Sequence, residues 1–148
     1  MFDALTFHRI AHGFQLRGLR RVARVLTRLE LHLFSAHIGP DAEIGPGCEL
    51  GYGGIGVVIH SKTRIGKDVL VSPGVVIGGR SGLPGAPSIG DRVKIGAGAK
   101  ILGPIKIGDD AHIGANAVVL HDVAPGDVVA GVPARPIQRK LKVLDGAG

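Results

Sequence analysis

Ile89-Gly-Asp-Arg-Val-Lys94, Ile95-Gly-Ala-Gly-Ala-Lys100, Ile101-Leu-Gly-Pro-Ile-Lys106, Ile107-Gly-Asp-Asp-Ala-His112 and Ile113-Gly-Ala-Asn-Ala-Val118 are consecutive hexapeptides in one phase. Each opens on isoleucine, and four positions later stands a small or branched residue: Val93, Ala99, Ile105, Ala111, Ala117. Working outward, the aliphatic phase extends to Val119 on one side. On the other it reaches back through Ile77, Val71, Ile65 and Ile59, and then through Leu50, Ile44 and Ile38. Glycine usually follows the aliphatic, as in Gly39, Gly45, Gly66, Gly78, Gly90, Gly96, Gly108 and Gly114. A period of six with glycine at a fixed phase is the mark of a β-helix, in which each hexapeptide is a short strand and a turn. Three hexapeptides make one triangular coil, and coils stack at the strand spacing of about 4.8 Å. The aliphatic and the small residue are expected inside, with glycine easing the corner. Periodicity leaves the hand of the coil open. The strands of a sandwich would not keep one phase over so many blocks.

Two interruptions break the period, at Gly51–Gly56 and at Gly78–Ser88. The first adds three residues and predicts a bulged corner, a place where ligands often approach. The second is a Gly- and Pro-rich loop, and a loop inserted in a strict solenoid is free to build a site. Ile59 and Ile77 are one coil apart, so they stack, and His60 falls beneath Gly78 at the root of that loop.

The chain has 148 residues and reads as one domain with a helical appendix: a helical segment over 1–35, the coil over 36–132, and a basic tail over 133–148. Residues from Asp3 to Phe34 repeat apolar positions at helical spacing, and Gly13 and Gly18 predict two short helices rather than one. Pro133-Ala-Arg-Pro136 is expected to lead into a short helix over Ile137–Leu144. Aromatics are 3% of the chain, so the core is aliphatic, and the lone Cys48 sits at an inward phase, which excludes an intrachain disulfide or Cys-based metal site. Net charge is +6, concentrated in the arginines of the helical segment and in Arg135, Arg139, Lys140 and Lys142. Basic residues are not interleaved with aromatics, which argues against single-stranded nucleic acid. The arginines of the second helix read as a solvated face, with contact to an anionic membrane surface as the alternative. No run is apolar enough to span a bilayer, so a cytoplasmic protein is expected.

Three stretches carry a resemblance: Ile95-Gly-Ala-Gly-Ala-Lys-Ile-Leu-Gly103, Gly114-Ala-Asn-Ala-Val-Val-Leu120 with Ala130-Gly-Val-Pro-Ala-Arg135, and Gly56-Val-Val-Ile59 with the coil ending in Gly78-Gly79. The segment Arg9-Ile-Ala-His12 adds to it. In these the chain resembles the hexapeptide-repeat acyltransferases, most closely the serine acetyltransferase group. The resemblance implies a left-handed parallel β-helix, a homotrimer, and acetyl-CoA bound between neighbouring coils. It implies O-acetyl transfer to a hydroxyl of a small acceptor, with Gly78, Gly79, Ala97, Lys100, Ala115 and Arg135 as cofactor contacts. The departures fall on the acceptor side. The family's Asp-His-Ala-Thr-Gly stretch is here Gly51-Tyr52-Gly53-Gly54, its second active-site histidine is Ala86 before Pro87, and its supporting aspartate is His37. Gly53-Gly-Ile-Gly-Val-Val-Ile-His60 also resembles sugar O-acetyltransferases of surface-polysaccharide synthesis.

Acetyl transfer from a thioester to a hydroxyl needs a base near neutral pH, donors for the oxyanion, and cations or backbone N–H groups for the phosphates. His60 is the candidate base, with Tyr52 and His37 as supporting or acceptor contacts. A trimeric metal site of three histidines is not expected, because His60, His112 and His121 do not recur at coil spacing. A non-catalytic scaffold that kept the coil and lost its base is the alternative from another class.

Overall fold

A computed structural model of the chain describes residues 3–137. The expected helix over Ile137–Leu144 lies almost wholly outside them. The chain is mainly β, a parallel solenoid of about four turns preceded by two helices.

The first face stacks His37–Ile38, Val58–Ile59, Val76–Gly78, Lys100–Leu102 and Val118–Val119. Glu43–Ile44, Arg64–Ile65, Ser88–Ile89 and Lys106–Ile107 form the second. Glu49–Leu50, Leu70–Val71, Lys94–Ile95, His112–Ile113 and Val128–Ala130 form the third, and Arg135–Pro136 closes it antiparallel. Equal phases pair: Ile59 lies on Ile77 and Ile77 on Ile101. The inward aliphatics and small residues fuse into one core, with Ile38, Val57, Ile59, Val75, Ile77, Val93, Ala99, Ile101, Ala111 and Ala117 fully inaccessible or nearly so. Cys48 lies in that core, its Sγ donating to Gly66 O at 3.1 Å, and burial pushes its pKa up.

The glycines that follow the aliphatics are needed for a different reason than corner turning. Gly39, Gly45, Gly66, Gly90, Gly96 and Gly108 do not have a positive φ. A Cβ added at Gly96 would stand 2.6 Å from Ala115 N in the next coil. The constraint is the approach of stacked backbones. The left-handed positions fall elsewhere, at Gly47, Asp68, Arg92, Asp110 and Gly126 on the corner between the second and third faces, and at Gly56, Gly74, Gly98 and Asn116 on the corner between the third and first.

The solenoid also runs further than the sequence pattern indicated. Val123 bridges to Ile107 and Val128–Ala130 pairs with His112–Ile113, so the segment after Asp122 completes another turn. Val123 and Val129 are buried there, which supplies the driving force. The pattern is hidden by a change of phase: Val123 follows Val119 by four residues instead of six, and Val129 then follows Val123 by six.

The helical segment splits into two helices, as expected, and the split falls at Gly18. α1 spans Ala4–Leu16 and α2 Arg20–Phe34. Gly18 (φ +78°) ends α1 in a Schellman geometry, with Gly18 N–H donating to Gln15 O and Leu19 N–H to Phe14 O. Gly13 stays within α1. Asp3 caps α1 by accepting from Thr6 N–H at 2.8 Å. Ala4 and Leu5 join the solenoid core, so α1 covers its first coil. His8 Nε2–H donates to Ala42 O (3.1 Å), and His12 Nδ1–H donates to Pro40 O at 2.8 Å.

α2 turns Ala23, Thr27 and Glu30 inward. Glu30 is 1% exposed and neither carboxyl oxygen makes a hydrogen bond among the described residues. Burial raises its pKa from 4.5 to about 8, and the Ile38 backbone offsets this only in part. The unfolded carboxyl ionises near 4.5 while the folded one stays protonated to about 8. Stability from this group is therefore full below pH 4.5 and is lost as pH rises to 8. Thermal melts across that range should show the loss in the native chain, on the order of a few kcal/mol, and Glu30→Gln should remove most of it. Gly96→Ala should lower the urea midpoint, costing about 1–3 kcal/mol by overpacking.

Candidate active site

Each coil turns three corners, and the predicted residues gather on the two that flank the first face. The corner between the first and second faces carries His60 and, one coil above, Gly78, Gly79 and the loop to Ser88. His60 N–H donates to Ile77 O at 2.8 Å, which fixes this stacking. Within the loop Arg80 and Leu83 form a bridge, and Gly85 lies against Pro104 of the coil above.

The corner between the third and first faces carries Tyr52 at its foot. Ala97 and Ala115 lie higher, with Asn116 N–H donating to Ala97 O at 2.8 Å. Lys100 turns back to this corner: its Nζ donates to Gly98 O at 2.6 Å and reaches Gly74 O at 3.5 Å. Arg135 pairs with Ala130, and its neighbour Ala134 donates from N–H to Val118 O at 2.8 Å, so it stands at the top of the same corner.

One chain thus separates His60, Gly78 and Gly79 from Tyr52, Ala97, Lys100, Ala115 and Arg135 by the width of the first face. His37 pairs with Val58 rather than lying under His60, so it stands on the face itself, two residues short of the corner.

His60 is exposed, and Lys62 N–H donates to its Nδ1 at 3.1 Å. That bond places the proton of the neutral ring on Nε2. Nδ1 is then the basic nitrogen, and it becomes available to a substrate only when the Lys62 turn opens. No carboxylate orients the ring among the hydrogen bonds and ion pairs of the described residues.

Tyr52 sits in a distorted 3₁₀ turn over Gly51–Gly54 with φ 52°, ψ 39°, and its side chain is 86% exposed. A tyrosine held left-handed costs the fold about 1–2 kcal/mol. Glycines occupy the neighbouring positions of the same turn at no such cost. A cavity of about 340 Å³, lined by His8, Arg9, His12, Glu43, Ile44, Gly45 and Ile65, lies between α1 and the second face and includes none of the predicted residues. Its histidines repeat at helical spacing on α1, which reads as packing from sequence. Among the described residues no group of three or more His, Cys, Asp or Glu side chains can hold a metal ion.

Comparison with known proteins bears on what these corners do. The family described as bacterial transferase hexapeptide (six repeats) matches residues 86–121, and the hexapeptide repeat of succinyl-transferase matches residues 62–102. A serine acetyltransferase of Mycobacterium tuberculosis is 47% identical over 133 residues, 88% of this chain and 57% of that one. The chain belongs to the hexapeptide-repeat acyltransferases, in the serine acetyltransferase group. A serine acetyltransferase of Brucella abortus in complex with coenzyme A superimposes with a TM-score of 0.88 at 38% identity, covering 90% of this chain and 54% of that one. Soybean serine acetyltransferase complexed with serine gives 0.86 at 40% identity, covering 90% and 56%. The chain spans about half the length of these relatives. No helix among the described residues is long and apolar enough to cross a membrane.

Because Tyr52 strains its turn, Tyr52→Gly should leave the fold as stable or more so, by about 1 kcal/mol in urea unfolding.

Proposed function

We propose that this protein is an acetyl-CoA-dependent O-acetyltransferase that works as a homotrimer, its site closed between two chains across the first face. The observation that carries this reading is the division of the predicted residues between the two corners of that face. The outward residues support it. The second face presents Glu43, Arg64, Ser88 and Lys106 to solvent, whereas the first presents Val58, Val76 and Val118 with His37 and Lys100. A flat face with aliphatic rows is suited to burial against another copy. Burial there would bring the His60 corner of one chain toward the Tyr52–Arg135 corner of its neighbour.

In the reaction the acceptor hydroxyl oxygen attacks the thioester carbonyl. His60 Nδ1, released by opening of the Lys62 turn, takes the hydroxyl proton, and backbone N–H groups of the Gly78-Gly79 turn face the oxyanion. Collapse breaks the carbon–sulfur bond, and the proton passes to the CoA thiolate. Lys100 and Arg135 supply cations at the corner where the cofactor lies, with Ala97 and Ala115 leaving room for it. The acceptor is a small hydroxyl compound. An exposed Tyr52 ring, in place of a charged pair, also favours sugars, whose apolar faces stack on aromatics.

The test is release of free CoA over a panel of serine, other hydroxylated amino acids and sugars. His60→Ala should lower turnover by about a hundredfold or more, with acetyl-CoA affinity nearly unchanged. Full turnover in that variant would sink the assignment and direct attention to His37. Light scattering at micromolar concentration should give the mass of three chains; a monomer would overturn the shared site.

A further inference from the structure

α2 carries two faces where a packed helix needs one. Its inward face is made of Ala23, Thr27 and Glu30, while Val22, Val25, Leu29 and Leu33 stand 40%, 56%, 45% and 63% exposed. Leu16 and Leu19, in the turn before it, are 75% and 48% exposed. These residues recur at three- and four-residue spacing and form an apolar stripe beside the packed face. Neither α1 nor the solenoid covers it.

The charge around the stripe identifies what fits it. Arg20, Arg21, Arg24 and Arg28 are all exposed, and α2 exposes no acid, because Glu30 faces inward and stays protonated to about pH 8. Val25 shares a shallow groove with Arg21, Arg24 and Arg28, and Leu19 and Val22 share another with Arg20, Arg21 and Arg24. Arg9 and Arg17 of the preceding segment are exposed as well, and the acid there, Asp3, is spent on capping α1. A second copy of the helix would meet this surface with the same sign. An occupant with an apolar interior and an anionic rim complements it.

We propose that the stripe of α2 is a docking surface for an anionic lipid bilayer, the leucines and valines entering the acyl boundary and the arginines meeting headgroup phosphates. Long arginine side chains can lie along the apolar surface while the guanidinium stays in the headgroup layer. The proposal stands apart from the reading of the active site and holds whatever the acceptor.

Sedimentation of the full chain with vesicles tests it. The protein should pellet with phosphatidylglycerol-containing vesicles, remain in solution with phosphatidylcholine alone, and be released by raised salt. Leu29→Glu with Leu33→Glu alters exposed positions and should lose binding by about tenfold or more, as should Arg21→Glu with Arg24→Glu. Both variants should keep the native circular dichroism and melting temperature. No binding to anionic vesicles by a folded native chain overturns the proposal. So does binding that neither variant weakens. If the leucine variant instead lowers the mass of the assembly in light scattering and leaves vesicle binding intact, the stripe is an interface between copies and the proposal fails.

Discussion

The solenoid rests on two backbones held one strand spacing apart, again and again, with no room between them at the glycine that follows the inward aliphatic in many rungs. At Gly45, Gly66, Gly90, Gly96 and Gly108 the next coil occupies the place where a Cβ would go. The same approach lets each coil donate its N–H groups upward, as Gly66 does to Ile89 O and Gly90 to Ile107 O. The inward aliphatic then meets its counterpart in the next coil, and the core becomes a continuous column. A side chain at one of these glycines would push apart the stacked backbones whose hydrogen bonds and core contacts depend on that approach.

A column of this kind has a problem at each end, because its first and last coils lack a neighbour. α1 closes one end with Ala4 and Leu5 in the core, held by the His8 and His12 contacts to Ala42 and Pro40. The other end is closed by an extra turn through Val123 and Val129 and by the antiparallel return at Arg135–Pro136. Both helices hide their inward faces, but α2 buries a carboxyl without a partner there and leaves a row of leucines and valines outside.

Most of the fold was legible because the solenoid is a local rule repeated. The aliphatic phase from Ile38 to Val119 named the inward positions, and the pairing of Ile59 with Ile77 was arithmetic. The outer limits of the helical segment were legible too, but of the two glycines that could have divided it only Gly18 does, and Gly13 stays within α1. What escaped was non-local. The extra turn after Asp122 keeps its core valines six residues apart but shifts their phase, since Val123 follows Val119 by only four. The reason for the glycines lies in the coil above, not in their own torsion. The face α2 buries could not be read from its amphipathic pattern, because that pattern marks where an apolar surface is and not what covers it.

The candidate site shows the same limit from the other side. Residue types and coil counting put His60 under Gly78, and the structure keeps them there. Counting within one chain could not show that Tyr52, Ala97, Lys100, Ala115 and Arg135 occupy the opposite corner, since corner identity depends on which face each strand joins. A β-helix core leaves no interior room for a ligand; its cross-section is filled by Ile, Val and Ala. Chemistry must therefore be done on the outside, where a corner is a convex ridge that cannot surround a substrate. Concavity arises when a second ridge is laid against the first. The outward valines of the first face supply a reason for that to happen, and the two groups of residues at its edges supply what would meet there.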